Sequence, residues 1–110
     1  ALLALAAARG LPLVDMFAIT AGAGLIGEDP RSWMVNPANG GRTDGVHPTS
    51  DGYRAIASAF AAAVLALTPR PQRIVCLGDS ITFGQGVPGE GTAGGETYPG
   101  WLARILAAAG

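Results

Sequence analysis

The sequence contains only one cysteine, one histidine and few charged residues. Because Cys76 stands alone, no disulfide can form within the chain, and cysteine usage leaves the redox compartment open. One cysteine and one histidine are also too few for a zinc-type ligand cluster within the chain. Charged residues make up 14% of the chain and the formal net charge is −1. This balance gives no basic surface for nucleic acid or for an anionic membrane.

Long hydrophobic runs are lacking as well. The apolar start, residues 1–8, is too short to span a bilayer. It is a poor signal peptide, because no initiator Met or basic segment precedes it and Arg9 stands where a cleavage site should lie. We therefore interpret residues 1–9 as the end of a buried helix that stops at Gly10, and the cellular location stays undecided.

Hydrophobic residues, by contrast, make up 49% of the chain, together with 17 glycines and 8 prolines. This composition is that of a globular protein with long ordered loops. Apolar residues at three- and four-residue steps predict helices over 50–67 and 97–109, the first preceded by N-cap candidates at 49–51. Residues 17–43, rich in glycine and proline, predict a loop with room for one short helical turn.

Two short apolar runs predict β-strands, at residues 11–16 and 73–77. The second run is unbroken and contains β-branched residues, which is typical of a central parallel strand covered on both faces. Helices that alternate with such strands indicate an α/β fold with a parallel sheet. We expect the two predicted helices to share one face of that sheet and to contact each other through these side chains: Phe60 or Val64, and Trp101 or Ile105.

The serine in Gly78-Asp79-Ser80 comes directly after the second predicted strand. Parallel sheets carry ligands and catalytic groups at the carboxyl ends of their strands, and a glycine before the serine allows a tight turn that exposes the hydroxyl. By itself, however, the segment is more typical of an ordinary turn in which Ser80 caps the next segment.

Asp44 and His47 could supply the base that such a serine needs. A serine hydroxyl is a weak nucleophile until its proton is removed, and histidine titrates in the right range for that task. A carboxylate that accepts a hydrogen bond from the other ring nitrogen orients the imidazole. Asp44 precedes His47 by three residues in a loop that leads into a predicted helix, so one turn could present both. By itself this segment is also typical of a surface histidine beside a helix cap.

Together the two segments resemble the SGNH (GDSL-type) family of serine ester hydrolases. Residues 74–84, IVCLGDSITFG, resemble its nucleophile block, and residues 44–53, DGVHPTSDGY, resemble its final block. Residues 11–15, LPLVD, are similar to the strand before the final block, and residues 98–102, YPGWL, to the start of the first helix. Both motif blocks are fairly specific, and both occur in this one short chain.

The resemblance implies a partial flavodoxin-like fold, with a three-layer parallel sheet, and hydrolysis of carboxylic esters through an acyl-enzyme. It implies Ser80 as nucleophile, His47 as general base and then acid, and Asp44 as the carboxylate that orients the imidazole. The backbone N–H of Ser80 would be one oxyanion donor. The expected partner is a small-molecule, carbohydrate or lipid ester, with no cofactor, metal, nucleic acid or membrane span, and the oligomeric state stays open.

Two departures from the family's pattern qualify the resemblance. The final block comes first, so residues 1–68 match a C-terminal portion, residues 69–72 a short linker and residues 73–110 an N-terminal portion. Tandem domains, a circular permutation and a truncated gene product all stay open as explanations. The middle blocks that supply the family's other two oxyanion donors, a glycine and an asparagine, are missing, and Asn36 and Asn39 lie in the wrong segment. We therefore expect the chain alone to be a feeble or inert catalyst.

Three other interpretations compete with the hydrolase. Residues 84–89 satisfy the G-x-G-x-x-G pattern of nucleotide-binding proteins, but the glycines do not follow the strand directly and Pro88 stands where a helix should begin. Cys76 and His47 could form a cysteine hydrolase, yet a cysteine inside an apolar strand is better explained as a small buried side chain. A non-catalytic α/β remnant or interaction module, without a complete oxyanion hole, is the main alternative.

Helix and strand directions predict that the two motif blocks form one active site, although their order along the chain is reversed. A helix that comes after one strand of a sheet runs back to the opposite edge, and the next strand returns to the first edge. Ser80 and His47 should therefore lie at the same edge, with the hydroxyl and the imidazole within roughly 10 Å of each other.

Overall fold

The polypeptide folds into six helices joined by long loops, and it forms no β-sheet. The structure, a computed structural model, describes residues 1–110. The helices are α1 (Leu2–Arg9), α2 (Met16–Ala23), α3 (Pro37–Gly40), α4 (Ser50–Leu65), α5 (Ser80–Phe83) and α6 (Tyr98–Ala108). An isolated antiparallel bridge between Met34 and Pro48 is the only β pairing. No helix combines the length and the apolar character that crossing a membrane requires.

The predicted α/β fold, a partial flavodoxin-like three-layer parallel sheet, is wrong. Residues 11–15 are irregular and α2 already begins at Met16, while residues 73–77 make no backbone hydrogen bond. A strand is stable only when neighbouring strands take up its N–H and C=O groups, and here the two apolar runs do not pair. The second run is also largely uncovered, with Val75 81% and Leu77 93% exposed. The apolar pattern at 73–77 therefore marks an extended segment and not a sheet strand.

The two longest predicted helices are confirmed to within two residues at each end by α4 and α6. Threonine caps explain where both begin. Thr49 Oγ1 accepts the N–H of Gly52 at 3.1 Å, and Thr97 Oγ1 accepts the N–H of Gly100 at 3.1 Å. Each bond satisfies one of the first-turn N–H groups that have no partner inside a helix.

The first part of the chain is more helical than predicted. α1 ends at Gly10 in the left-handed conformation, as expected, but it is not a buried helix, because Ala6 is its only buried residue. Part of 17–43, predicted as a loop with one short turn, forms α2 and α3. Glycine and proline serve here as helix boundaries: Pro37 opens α3, and left-handed glycines end both helices.

The core lies between α4 and α6, the one pair of helices that packs extensively. Its buried residues are Tyr53, Ala57 and Ala61 from α4 and Tyr98 and Leu102 from α6. The small alanines let the two helices approach closely. The predicted contact between these helices is confirmed. Phe60 takes part in it, but the ring that stacks on Phe60, at 5.4 Å between centroids, is that of Tyr98 and not that of Trp101.

Gly52, in the first turn of α4, leaves no room for a side chain. A Cβ at this position would collide with the backbone carbonyl oxygen of Trp33 and lie 2.9 Å from Cβ of Pro48. We expect Gly52→Ala to lower the free energy of unfolding by about 1–3 kcal/mol, because the loop beside α4 must move to admit the methyl group. Urea unfolding followed by circular dichroism measures this change.

Gly22→Ala is the matched control. The same change in α2 meets no atom within 4 Å. Alanine is the better helix former, so this variant should be more stable than the wild type by about 0.5–1 kcal/mol. A Gly52→Ala protein that is as stable as the wild type would contradict the close approach of α4 to the loop at Trp33.

Candidate active site

The loop that carries His47 is braced by backbone hydrogen bonds to residues 33–35. Val35 N–H donates to the carbonyl oxygen of His47 at 2.9 Å, and Gly45 N–H donates to that of Val35 at 2.9 Å. Gly45 adopts a φ of +76°, a left-handed conformation that favours glycine and lets the chain turn tightly here. His47 therefore lies on a fixed turn shortly before α4.

The Asp44 carboxylate stabilises this turn by accepting hydrogen bonds from its backbone. Its Oδ1 accepts the N–H groups of Val46 and His47, both at 2.9 Å, and its Oδ2 lies 3.1 Å from His47 Nδ1. The Arg42 guanidinium donates to the same Oδ2 from 3.2 Å. The side chains of Asp44 and His47 are 11% and 18% exposed. Carboxylate and imidazole are thus held together with little access for water.

This environment keeps Asp44 ionised. Its hydrogen bond from the backbone N–H of His47 contributes most, and the bond from Val46 N–H comes next, so the pKa of Asp44 lies far below its ordinary value of 3.8. Burial opposes the shift, and the His47 imidazole and the Arg42 guanidinium add to it. An ionised Asp44 favours the ring tautomer with the proton on Nδ1. His47 Nε2 is then free to accept a hydrogen bond.

Ser80 begins α5, a single helical turn that is fixed at both ends. At its start, Asp79 Oδ1 accepts the N–H of Ile81 at 3.0 Å. At its end, Gly84 adopts a φ of +82°, and the N–H groups of Gly84 and Gln85 donate to the carbonyl oxygen of Ser80 at 3.1 and 3.0 Å. The predicted tight turn at the serine is present, although no strand precedes it.

The two segments meet at a hydrogen bond between His47 and Ser80. His47 Nε2 lies 3.0 Å from Ser80 Oγ. Together with the contact between His47 Nδ1 and Asp44, it forms an unbroken chain from carboxylate to hydroxyl. The expected separation of less than roughly 10 Å between imidazole and hydroxyl is confirmed. The expected cause, a shared edge of a parallel sheet, is wrong, because packing of α4 against α6 brings the two segments together.

The candidate oxyanion donors differ in whether they already donate a hydrogen bond within the chain. The side-chain amides of Asn36 and Asn39 donate to carbonyl oxygens within residues 27–34 and stabilise that loop. The backbone N–H of Ser80 donates to no acceptor in the chain. It belongs to the first turn of α5, where N–H groups have no partner inside the helix. Of these groups, the Ser80 N–H is the one free to bind an anion.

The residues of the competing interpretations do not assemble a site. Both ring nitrogens of His47 contact Asp44 or Ser80, whereas Cys76 borders the α4–α6 core. Residues 84–89 form turns around left-handed glycines and begin no helix. No group of three or more His, Cys, Asp or Glu side chains is arranged to hold a metal ion.

Two residues beside the hydrogen-bonded triad of Asp44, His47 and Ser80 were not predicted as part of its surroundings. Arg42 pairs with Asp44, and its position two residues before the carboxylate is a signal that the sequence did offer. Tyr53 belongs to the apolar stripe of α4, but its hydroxyl donates to the carbonyl oxygen of Gln85 at 3.2 Å. The sequence gives no signal for this bond, because a tyrosine on a helix stripe cannot be told from a purely apolar core residue until its partner is known.

An apolar cavity of about 170 Å³ lies beside the triad. Its lining includes Val46 and Pro48, on either side of His47 in sequence, and Ile81, the residue after Ser80. Trp33 and Ile56 line it as well. Such a lining suits an uncharged alkyl group and not a charged one.

Comparison with known proteins returns no relative. No family model matches the chain, and no curated protein or solved structure matches it either. The likeness to SGNH hydrolases thus depends on the two motif blocks, and it stays a prediction, as do the roles of Ser80, His47 and Asp44.

Asp44 should remain ionised at a pH where an ordinary aspartate is half protonated, near 3.8. Because its pKa is lowered in the folded protein, the carboxylate stabilises the fold above the unfolded-state pKa, and this contribution is lost as the pH falls through the folded-state pKa. The stability difference between the wild type and Asp44→Asn should therefore be constant above about pH 5 and shrink only in stronger acid.

Carbon-13 NMR of the Asp44 carboxyl group, assigned with the Asp44→Asn variant, gives the titration directly. Arg42→Gln is the matched control for the smaller contribution of the guanidinium, and it should raise the midpoint while leaving it below the ordinary value. A wild-type midpoint at or above 3.8 would contradict the hydrogen bonds from Val46 and His47 to the carboxylate.

Proposed function

We propose that this chain carries the reacting residues of a serine ester hydrolase of SGNH type, which cleaves carboxylic esters through an acyl-enzyme. The observation that carries the proposal is the continuous hydrogen-bond chain from Asp44 through His47 to Ser80, with 3.1 Å at the first contact and 3.0 Å at the second. These are the atoms, and the order of atoms, that activate a serine hydroxyl.

Acylation begins when Ser80 Oγ attacks the ester carbonyl carbon and its proton passes to His47 Nε2. Asp44 accepts the Nδ1 proton in a hydrogen bond and stabilises the imidazolium. The tetrahedral intermediate then collapses, because His47 returns the proton to the oxygen of the leaving alcohol. An ester between the acyl group and Ser80 is left.

Deacylation repeats the sequence with water. His47 Nε2 takes a proton from the water molecule, whose oxygen attacks the acyl carbonyl carbon. When the second tetrahedral intermediate collapses, the carboxylic acid leaves and Ser80 Oγ recovers its proton from His47. Asp44 keeps its negative charge throughout, in agreement with its lowered pKa.

The oxyanion of both intermediates would be bound by the backbone N–H of Ser80. A single donor is a weak oxyanion hole, since each donor in measured cases contributes roughly 2.7–4 kcal/mol to transition-state stabilisation. We therefore expect slow turnover by the chain alone, with acylation of Ser80 easier to detect than repeated hydrolysis. The apolar cavity beside the triad supports an uncharged ester as substrate.

Covalent labelling with an alkyl fluorophosphonate tests the proposal on the chain itself. Ser80 Oγ should displace fluoride from phosphorus, and mass spectrometry should locate the adduct on Ser80. Ser80→Ala should abolish labelling and His47→Ala should reduce it nearly as much, because nucleophile and base act as one unit. Asp44→Ala should keep roughly ten to a hundred times more reactivity than His47→Ala.

Ser58→Ala is the matched control, because Ser58 is an exposed serine on α4 whose hydroxyl bonds only to the carbonyl oxygen of Arg54. It should label like the wild type. Labelling that survives in Ser80→Ala, or a folded wild type that does not label at all, would reject the hydrolase and favour the alternative, a non-catalytic module.

A further inference from the structure

Hydrogen bonds between the Asp/His segment (residues 1–68) and the serine segment (residues 73–110) are few. The first is the bond between His47 Nε2 and Ser80 Oγ, and the only other one is donated by the Tyr53 hydroxyl to the carbonyl oxygen of Gln85 at 3.2 Å. No salt bridge joins the segments. The other contacts between them are those of apolar and aromatic side chains, together with the Arg54 guanidinium 5.3 Å from the centroid of the Trp101 ring and the Arg42 guanidinium beside Gly86.

The Tyr53 bond ends on the turn that carries the serine. Gln85 lies just beyond the end of α5, and its N–H donates to the carbonyl oxygen of Ser80 at 3.0 Å. Tyr53 itself lies six residues after His47, in the first turn of α4, and is fully buried. One rigid stretch of chain therefore contacts the α5 turn twice, through His47 at its start and through Tyr53 at its end.

We infer that Tyr53 is the positioning residue of this site: its hydroxyl holds the α5 turn at the distance at which Ser80 Oγ meets His47 Nε2. The inference rests on the proposed function. Apolar packing is non-directional and leaves one helix free to slide on another by fractions of an ångström, whereas a hydrogen bond fixes a distance and a direction. The Tyr53 bond is the only hydrogen bond between the segments apart from that of the reacting pair, and the contact of Arg54, one residue beyond Tyr53, is made to Trp101 on α6.

The Tyr53 hydroxyl keeps its proton under all ordinary conditions. Burial is the main cause that raises its pKa to about 12, and the carboxylates of Asp44, Asp79 and Glu90 raise it further, while the Arg42 guanidinium lowers it. The hydroxyl is therefore a permanent donor toward the Gln85 carbonyl across the pH range in which His47 can act as a base.

Tyr98 provides a matched comparison within the same core. Its ring is buried and its hydroxyl lies 3.1 Å from Thr82 Oγ1, so it too contacts α5. Tyr98 and Thr82, however, both belong to the serine segment. The loss of this hydroxyl should weaken the local structure without releasing the serine segment from the Asp/His segment.

The test compares Tyr53→Phe with Tyr98→Phe by the rate of fluorophosphonate labelling at a series of reagent concentrations. Misplacement of reacting atoms by about 1 Å costs up to roughly 100-fold in rate. We expect Tyr53→Phe to lower the maximal labelling rate about 10- to 100-fold with little change in the half-saturating concentration. Tyr98→Phe should change the maximal rate less than about threefold. Equal losses in the two variants, or no loss in Tyr53→Phe, would overturn the inference.

A second readout does not depend on reactivity. In the wild type, Ser80→Ala should shift the nitrogen-15 resonance of His47 Nε2, because the hydrogen bond is lost. In the Tyr53→Phe background the same change should have little effect, whereas in the Tyr98→Phe background it should have its full effect. If the wild type is not labelled at all, the hydrolase fails, and this NMR comparison still decides whether Tyr53 positions Ser80 against His47.

Both variants can be made in the Gly22→Ala background, in which α2 is expected to be stabilised. Other α2 residues line the apolar cavity, but a methyl group at position 22 meets no atom within 4 Å, so this change should leave the site as it is. Should Tyr53→Phe still not fold, a tetrafluorinated tyrosine at position 53 replaces it, because four ring fluorines lower the pKa of the hydroxyl by more than this site raises it. Labelling should then fall as that hydroxyl ionises, more than with the same residue at position 98. Parallel pH profiles for the two positions would overturn the inference.

Discussion

The packing of α4 against α6 places the two halves of the candidate site next to each other. His47 lies directly before the capped start of α4, and Ser80 lies on a turn whose neighbours border the same core. If the two helices separated, Asp44 and His47 would keep their mutual contact, since those bonds are local, but the imidazole would lose the serine hydroxyl. The candidate site therefore depends on a helix–helix interface made largely of tyrosine, alanine and leucine side chains.

Sequence reasoning succeeded where the cause of a structure is local. The cap candidate Thr49 begins α4 as predicted, apolar periodicity places α6 within two residues, and the spacing of Asp44 and His47 suffices for a carboxylate to reach an imidazole. The sheet failed because it is not a local property. The runs at 11–16 and 73–77 have the composition of buried strands, yet a strand needs partners for its N–H and C=O groups, and none exist within these 110 residues.

The proximity of Ser80 and His47 was predicted correctly for a reason that turned out to be wrong. The predicted sheet and the observed helix pair share one feature. In both, α4 carries the chain away from His47 and the segment after it carries the chain back. That return depends on the length of α4 and on the connection after it, and both can be estimated from the sequence. The bond from Tyr53 to Gln85 could not be predicted, because it joins residues 32 positions apart through a side chain that otherwise has the pattern of core packing.

The extended segment at 73–77, which precedes Ser80, does little to fix the position of the serine. Val75 and Leu77 point into solvent, while Cys76 borders the core, so side-chain contact on one face holds the segment in place. A segment without backbone hydrogen bonds cannot fix its end as firmly as a sheet strand does. The orientation of Ser80 must then come from its immediate neighbours: the Asp79 cap, the left-handed Gly84 and the bonds that Ser80 and Gln85 make to the Asp/His segment. In this chain, helix caps and tight turns set the geometry of the triad, and the packed pair α4 and α6 supports them. These elements determine whether the serine can react.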